Sequence, residues 1–255
     1  GMGYLGLGSS LSMMQMVYGD EESIKFTEEV TKVLAQVGWE VGIELAKEKG
    51  AAPIMDEDFE VSPEMLAIRP EMKKDGHKIG DKIKGKVLLG KYSRYMQQFP
   101  KTLQDQIAKS GIRFTHHSSI APTGTISLSL ANNASNGIEP SFAHHYSRNV
   151  IREGKKSKEK VDVFSFELLA YRHLINEKAM PFSDKKDEKL PEYFIDSSTI
   201  KAKAHVDIQA ASQKWIDSSI SKTINVPTDY DYEDFKNIYL YAYEKGLKGC
   251  TTFRF

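Results

Sequence analysis

Four short strand-like segments, separated by long helical stretches, constrain the fold of this chain more than any other sequence feature. The segments are predicted at residues 1–7, 113–120, 219–226 and 247–255. The stretches between them are too long for hairpin turns and carry helical patterns, so we expect parallel strands joined by helical crossovers. The pattern predicts the α/β class, and four strands with open edges indicate part of a larger sheet or barrel.

The longest helical pattern covers residues 21–49 and ends before Gly50, a natural C-cap. Gly38 and Gly42 lie four residues apart and indicate close packing against a neighbouring segment. Apolar residues recur at helical spacing and predict a buried stripe, which comprises Val30, Val33, Leu34, Val37, Val41 and Leu45.

Shorter helices are predicted at residues 101–109, 161–175, 204–216 and 232–245. Two of the helix starts carry an N-cap residue, since Ser62 precedes a Pro-Glu pair and Asp231 precedes the last helix. Residues 69–91 are polar and rich in Gly and Lys, so we expect a surface excursion there.

The composition argues against several functional classes. The 255 residues include 35 Lys and Arg against 35 Asp and Glu, so no overall field attracts nucleic acid or anionic membranes. We therefore expect neither direct DNA binding nor membrane association, and no apolar run approaches the roughly 20 residues that span a bilayer. Cys250 is the sole cysteine, which excludes an intramolecular disulfide and favours a reducing, cytoplasmic setting.

A loop of small and hydroxylated residues follows the apolar segment that ends at Ile120. The first N–H groups of a helix that starts there would lack internal partners and carry the positive end of the helix dipole. Glycine lets a ligand approach the backbone closely, and hydroxyl groups add donors. We predict that this loop binds phosphate, with an ordinary capped turn as the alternative; its residues are Pro122, Thr123, Gly124, Thr125, Ile126 and Ser127.

Three further patterns favour structural roles. The glycines among the first eight residues lack the spacing of a dinucleotide-binding loop and favour close backbone packing. The histidine pairs at 116–117 and 144–145 would point to opposite faces of a strand, so we expect no protein-ligated metal. Glu139 precedes Pro140 and is expected to fix the chain by hydrogen bonding rather than to act as an acid.

Four blocks, in the same order, resemble the large chains of ribonucleotide reductases. They are the glycine-rich residues 1–11, Leu-Ala-Lys-Glu-Lys-Gly at 45–50, Pro-Thr-Gly-Thr-Ile-Ser at 122–127 with Asn-Gly-Ile-Glu-Pro at 136–140, and residues 209–227 running on to 246–254. The resemblance implies the C-terminal half of a ten-stranded α/β barrel. It describes residues 1–255 as a single domain whose N-terminal half-barrel lies elsewhere.

The resemblance also implies the reduction of a ribonucleotide 2′-hydroxyl by thiyl-radical chemistry, which supplies deoxyribonucleotides for DNA replication. The loop at 122–127 would hold the substrate phosphates. Its Pro-Thr-Gly-Thr-Ile-Ser form is typical of the adenosylcobalamin-dependent branch. Thr251 and Thr252 stand where related di-iron enzymes have two radical-relay tyrosines. Adenosylcobalamin is therefore the implied cofactor, with a site shared with the missing part.

The family's radical cysteine, its finger loop and its reducing cysteine pair have no counterpart in this sequence. Cys250 lies in the last strand motif and is expected to be a structural thiol. We therefore assign no catalytic residue and predict no activity for the isolated chain. A companion chain or a missing segment would supply the thiols, and exposed strand edges also favour self-association. The alternative is a catalytically inactive nucleotide-binding or regulatory module related to these reductases.

Overall fold

The computed structural model describes residues 1–129, 133–151, 153–154 and 157–254. By their internal contacts the residues form two compact units. Unit 1 comprises Gly1 and Lys32–Ser118, and unit 2 comprises Met2–Thr31 and Ser119–Phe255. The description of residues 1–255 as a single domain stays a prediction.

Helices and short strands alternate along the described chain, as expected for the α/β class. The helices are α1 (Leu7–Met13), α2 (Glu21–Lys49), α3 (Pro63–Ile68), α4 (Pro70–Lys74), α5 (Gly85–Tyr92), α6 (Lys101–Ser110), α7 (Gly124–Ser129), α8 (Phe166–Leu174), α9 (Ala202–Gln213) and α10 (Tyr232–Glu244). The strands are β1 (Asp58–Glu60), β2 (Lys82–Lys84), β3 (His145–Val150), β4 (Glu159–Phe164), β5 (Thr223–Val226) and β6 (Thr251–Arg254).

The parallel pairing predicted for the last two strands is confirmed. β5 runs parallel to β6, with Thr223 opposite Thr251, and α10 makes the crossover between them. The other two described pairs, β1 with β2 and β3 with β4, are antiparallel.

The strands predicted at 1–7 and 113–120 do not form. Gly6 adopts a φ of 82° and starts α1 at once, so the first segment ends before it can pair along its length. The second segment forms isolated bridges rather than a strand, among them a parallel bridge between Ile120 and Ile220. The glycines of the first segment do pack closely, since a Cβ on Gly8 would lie 2.6 Å from the carbonyl oxygen of Glu139.

α2 matches its predicted bounds, but the predicted buried stripe is wrong. Val33 and Val37 are 63% and 48% exposed. The buried face instead carries Thr27, Thr31 and Trp39. Both threonine hydroxyls donate to carbonyls one turn earlier at 2.7 Å, so their burial leaves no hydroxyl unsatisfied.

The helix predicted at 161–175 is also partly wrong. Residues 159–164 form β4, because Val161, Val163 and Phe164 suit a strand, and only the remainder forms α8. Ser165 separates the two elements, and its hydroxyl caps α8 by accepting from the Leu168 N–H.

Residues 69–91 contain α4, β2 and most of α5 rather than a surface excursion, with Met72 and Ile83 buried. The remaining helices agree with the sequence. α6, α9 and α10 lie within a few residues of their predicted positions, and Ser62 and Asp231 are N-caps.

Two apolar clusters in unit 2 position the candidate site. One joins α1, the region before α2, and the segments around Ile120 and Ile138. The other packs β5 between α9 and α10, with Ile224 and Val226 at its centre. No helix in the described part of the chain is long and apolar enough to cross a membrane.

Candidate functional site

A cavity of about 450 Å³ lies in unit 2 beside the predicted phosphate loop. One side, the loop wall, consists of Gly124, Ser127, residues 133–136 and residues 139–143. The opposite side, the strand wall, consists of β5 and β6, which contribute Thr223, Asn225 and residues 251–253. This volume falls in the range of small-ligand pockets.

The structure brings two of the six predicted site residues to the cavity. Gly124 and Ser127 line it, whereas Pro122, Thr123, Thr125 and Ile126 are not among its lining residues. Ile126 is 52% exposed. The loop therefore presents its helix start, and not its whole length, to the cavity.

Hydrogen bonds fasten the loop to the Asn-Gly-Ile-Glu-Pro segment. The Gly137 N–H donates to the Thr123 hydroxyl oxygen at 2.7 Å, and the Ser127 hydroxyl lies 2.8 Å from Asn136 Oδ1. Thr123 has a φ of 54°, unusual for a β-branched residue, and Gly137 has a φ of 46°. The two segments that resemble the family thus form one connected structure.

Gly124 has no close contact within the protein that would require a glycine. A Cβ built on it would meet only Asn136 Nδ2, at an ordinary 3.7 Å. By contrast, a Cβ on Gly137 would lie 2.8 Å from the Ala121 carbonyl oxygen. Gly124 therefore leaves open space beside the start of α7.

The cavity is lined by neutral donors and one negative charge. Glu139 is the one charged side chain among the described lining residues, which include neither Lys nor Arg. Its Oε1 accepts the Thr223 N–H at 2.9 Å, which confirms the expected structural hydrogen bond and ties the loop wall to the strand wall.

A buried acid–imidazole pair lies behind the loop wall and was missed from the sequence. Glu167 accepts a hydrogen bond from Ser141, and His144 Nδ1 lies 3.1 Å from both Glu167 Oε1 and Ser165 Oγ. Burial raises the pKa of Glu167, but the hydrogen bonds from His144 and the serines outweigh it, so the pKa is lowered overall. Only the Ser165-x-Glu167 spacing at a helix start could have signalled this group.

A second buried pair, also missed, lies behind the strand wall. Lys222 Nζ is 2.6 Å from His205 Nδ1 and 3.1 Å from the Thr223 carbonyl oxygen. Lys222 is 2% exposed and His205 is fully buried. No sequence pattern indicates this pair, because its members belong to different segments of the fold, 17 residues apart.

The other candidates from the sequence have packing roles. His117 is buried, with its ring centroid 4.6 Å from that of Trp39. Cys250 packs beside the cluster around β5, and burial raises the pKa of its thiol. Among the described residues, no three His, Cys, Asp or Glu side chains converge as metal ligands.

A family model described as "Ribonucleotide reductase, barrel domain" matches residues 1–253. The chain belongs to the ribonucleotide reductase family. Its α/β fold is correspondingly that of a part of the reductase barrel, and a reductase alpha subunit from Actinobacillus ureae, of class Id, has a similar structure. That likeness has a TM-score of 0.62 at 20% identity, and it covers 100% of this chain and 38% of the other.

Two relatives are named vitamin B12-dependent ribonucleoside-diphosphate reductases. The one from Mycobacterium tuberculosis is 26% identical over 262 residues, which cover 100% of this chain and 31% of the relative. The one from Thermoplasma acidophilum is 31% identical over 168 residues, covering 61% of this chain and 21% of the relative. The chain therefore spans about a third or less of the length of these relatives.

The cavity does not fit adenosylcobalamin. A corrin ring with its nucleotide tail is several times larger than a nucleotide, and the cavity of about 450 Å³ suits the smaller molecule. The described residues of its lining also include no histidine that could ligate cobalt. The residues of this site therefore support nucleotide binding. They give no basis for a reaction step that involves the cofactor.

Proposed function

We propose that this chain is the substrate-phosphate-binding part of a ribonucleotide reductase. The observation that carries the proposal is the open space over Gly124 in a cavity of nucleotide size, within a chain of this family. In the proposed complex, residues Pro122, Thr123, Gly124, Thr125, Ile126 and Ser127 form the phosphate loop.

Gly124 would contact the phosphate directly, through its backbone N–H at the start of α7. Ser127 would support it, because its N–H donates to the Thr123 carbonyl oxygen and its hydroxyl is bonded to Asn136. Thr123 and Asn136 would hold the loop in place through the hydrogen bonds to Gly137 and Ser127. Pro122 precedes the start of α7, and Thr125 and Ile126 lie in its first turn. The strand wall would face the rest of the nucleotide.

The radical chemistry requires groups that this sequence does not contain. Reduction of a ribonucleotide 2′-hydroxyl by a thiyl radical needs more than one thiol, and the sequence has a single cysteine. We place the radical and reducing cysteines in the remainder of the reductase, on a companion chain or a further segment. The isolated chain is then inactive.

We assign adenosylcobalamin to the assembled reductase, in line with the names of the relatives. Thr251 and Thr252 support this branch, because neither side chain can carry a tyrosyl radical relay. The assembled enzyme would work in the cytoplasm and supply deoxyribonucleotides for DNA replication. Residues 1–255 would act in it as one domain of the barrel.

Two measurements test the proposal. Calorimetric titration of the chain with uridine diphosphate should detect saturable binding that inorganic phosphate displaces. Reduction assays with adenosylcobalamin and a dithiol should give no product with the chain alone, and deoxyuridine diphosphate once the cysteine-bearing part is added. Binding without turnover in the complete mixture would favour an inactive nucleotide-binding module. Absence of binding would refute the phosphate site.

A further inference from the structure

The proposed phosphate cavity contains no cationic side chain among its described lining residues. Glu139 is the charged side chain there, and its negative charge repels a bound phosphate. Hydroxyl and N–H donors offset part of this repulsion. A positive charge behind a wall of the cavity would offset the remainder.

Lys222 lies directly behind the strand wall. Successive residues of a strand face opposite sides, so Thr223 and Asn225 line the cavity while Lys222 and Ile224 are buried behind it. The Lys222 Nζ donates to the Thr223 carbonyl oxygen at 3.1 Å. The amine is therefore hydrogen-bonded to a residue of the cavity wall itself.

The surroundings of Lys222 come from three other parts of the fold. α9 contributes His205, whose Nδ1 lies 2.6 Å from Nζ. The segment between α1 and α2 contributes the ring of Tyr18, with Nζ 5.8 Å from its centroid. The loop wall contributes the negative charge of Glu139, which acts on Lys222 at longer range. The hydrogen-bond partners of the amine are thus neutral groups.

In these surroundings the Lys222 amine can be either protonated or neutral near neutral pH. Burial lowers the pKa of Lys222 to about 7, against the opposing effect of Glu139. Burial, together with the charge of Lys222, lowers the pKa of His205 to about 2. His205 is therefore neutral and accepts a hydrogen bond from Lys222 at Nδ1, since an ammonium group can only donate.

We propose that Lys222 is the counter-charge of the cavity and takes up a proton when a phosphate group binds on the other side of β5. This role rests on the proposed function. The proton comes from solvent and adds to the Nζ lone pair, and no covalent bond of the ligand changes. Because the bound state holds more protons than the free state, affinity for phosphate should fall as the pH rises through the neutral range.

Calorimetry with uridine diphosphate at about pH 8, in buffers of different ionisation enthalpy, measures this proton directly. The ligand is almost fully ionised at that pH, so it contributes little to the proton count. We expect the wild-type chain to take up about 0.8 proton per bound ligand, the uptake that corresponds to a tenfold gain in affinity at that pH. Proton uptake near zero in the wild type would overturn the role of Lys222 and leave the phosphate site standing.

Two substitutions separate charge from protonation. Lys222→Arg keeps a permanent charge, so it should bind uridine diphosphate without proton uptake. Lys222→Met removes the charge and should weaken binding at least about tenfold, also without uptake. Lys214→Met, at a half-exposed lysine that pairs with Glu28, is the matched control and should behave like the wild type. Circular dichroism and thermal unfolding check that each variant folds.

The outcomes distinguish the two proposals. Uptake in Lys222→Arg equal to that of the wild type would assign the proton to another group and refute the inference. Failure of the wild-type chain to bind uridine diphosphate would refute the phosphate site itself, and the role of Lys222 with it.

Discussion

The loop wall and the strand wall of the cavity are stabilised in different ways. The strand wall has aliphatic side chains such as Ile224 and Val226 packed behind it, between α9 and α10. The loop wall depends on hydrogen bonds that tie Thr123 and Ser127 to residues 136–137, and on the buried acid behind Ser141. A wall backed by a close-packed aliphatic core is rigid, whereas one held by polar contacts presents donors to a ligand but depends on each contact.

The largest loss of stability is expected when the apolar core behind the strand wall is disrupted. Ile224→Ala removes a fully buried side chain at the centre of its cluster and should lower the free energy of unfolding by about 3 kcal/mol. Chemical denaturation measures this loss. Asn225→Ala, on the cavity face of the same strand, is the control and should cost less than about 1 kcal/mol. Equal losses at the two sites would contradict the description of the strand wall.

Substitution of the buried acid behind the loop wall, Glu167, should lower stability by a smaller amount that depends on pH. The pKa of Glu167 is lowered, so its stabilising contribution is complete above the pKa of the unfolded state and disappears as the pH falls through the folded-state pKa. Glu167→Gln should therefore cost about 2 kcal/mol at neutral pH, with the deficit shrinking below about pH 4.

Urea titrations of wild type and Glu167→Gln at several acidic pH values measure this convergence. A deficit that stays constant with pH would mean that the side chain acts by packing alone. Ile224→Ala should show such a constant deficit over the same range, because no ionisable group is removed, and it therefore serves as the comparison from the strand wall.

Next to Asn136 of the loop wall, Gly137→Ala tests whether backbone conformation limits stability. A methyl group there would lie 2.8 Å from the Ala121 carbonyl oxygen, at a residue with a φ of 46°. We expect a loss of about 1–2 kcal/mol, measured by thermal unfolding. Gly154→Ala, at a glycine with positive φ but open surroundings, isolates the conformational part of this loss from the steric part.

Capping residues and helical spacing in the sequence predicted those parts of the fold that depend on interactions between residues close in sequence. The caps at Ser62 and Asp231, the helices α6, α9 and α10, and the crossover between β5 and β6 all follow from short-range patterns. The valine stripe on α2 failed, because polar threonines can be buried when their hydroxyls bond to the preceding turn.

In the candidate site, too, residues of one continuous motif could be predicted, whereas residues paired across the fold could not. Gly124 and Ser127, which line the cavity, could be named as candidates because their chemistry lies in one continuous motif, and their role in phosphate binding stays a prediction. Glu167 and Lys222 were missed because their partners, His144 and His205, come from other elements, and one sequence carries no sign of such pairing. Sequence reasoning therefore located the loop wall but not the charges behind either wall.

The smallest effect on stability should accompany a large effect on binding, at Gly124. Its added Cβ would make only an ordinary contact with Asn136, so Gly124→Ala should change the free energy of unfolding by less than about 0.5 kcal/mol. The same methyl group would occupy the space in which a phosphate approaches the backbone, so affinity for uridine diphosphate should fall about tenfold or more. Gly137→Ala should do the opposite and lower stability more than affinity, because its methyl group would meet the Ala121 carbonyl oxygen rather than the ligand. If Gly124→Ala bound uridine diphosphate as tightly as the wild type does, the phosphate would have to lie elsewhere in the cavity, and the strand wall rather than the loop wall would be the recognition surface.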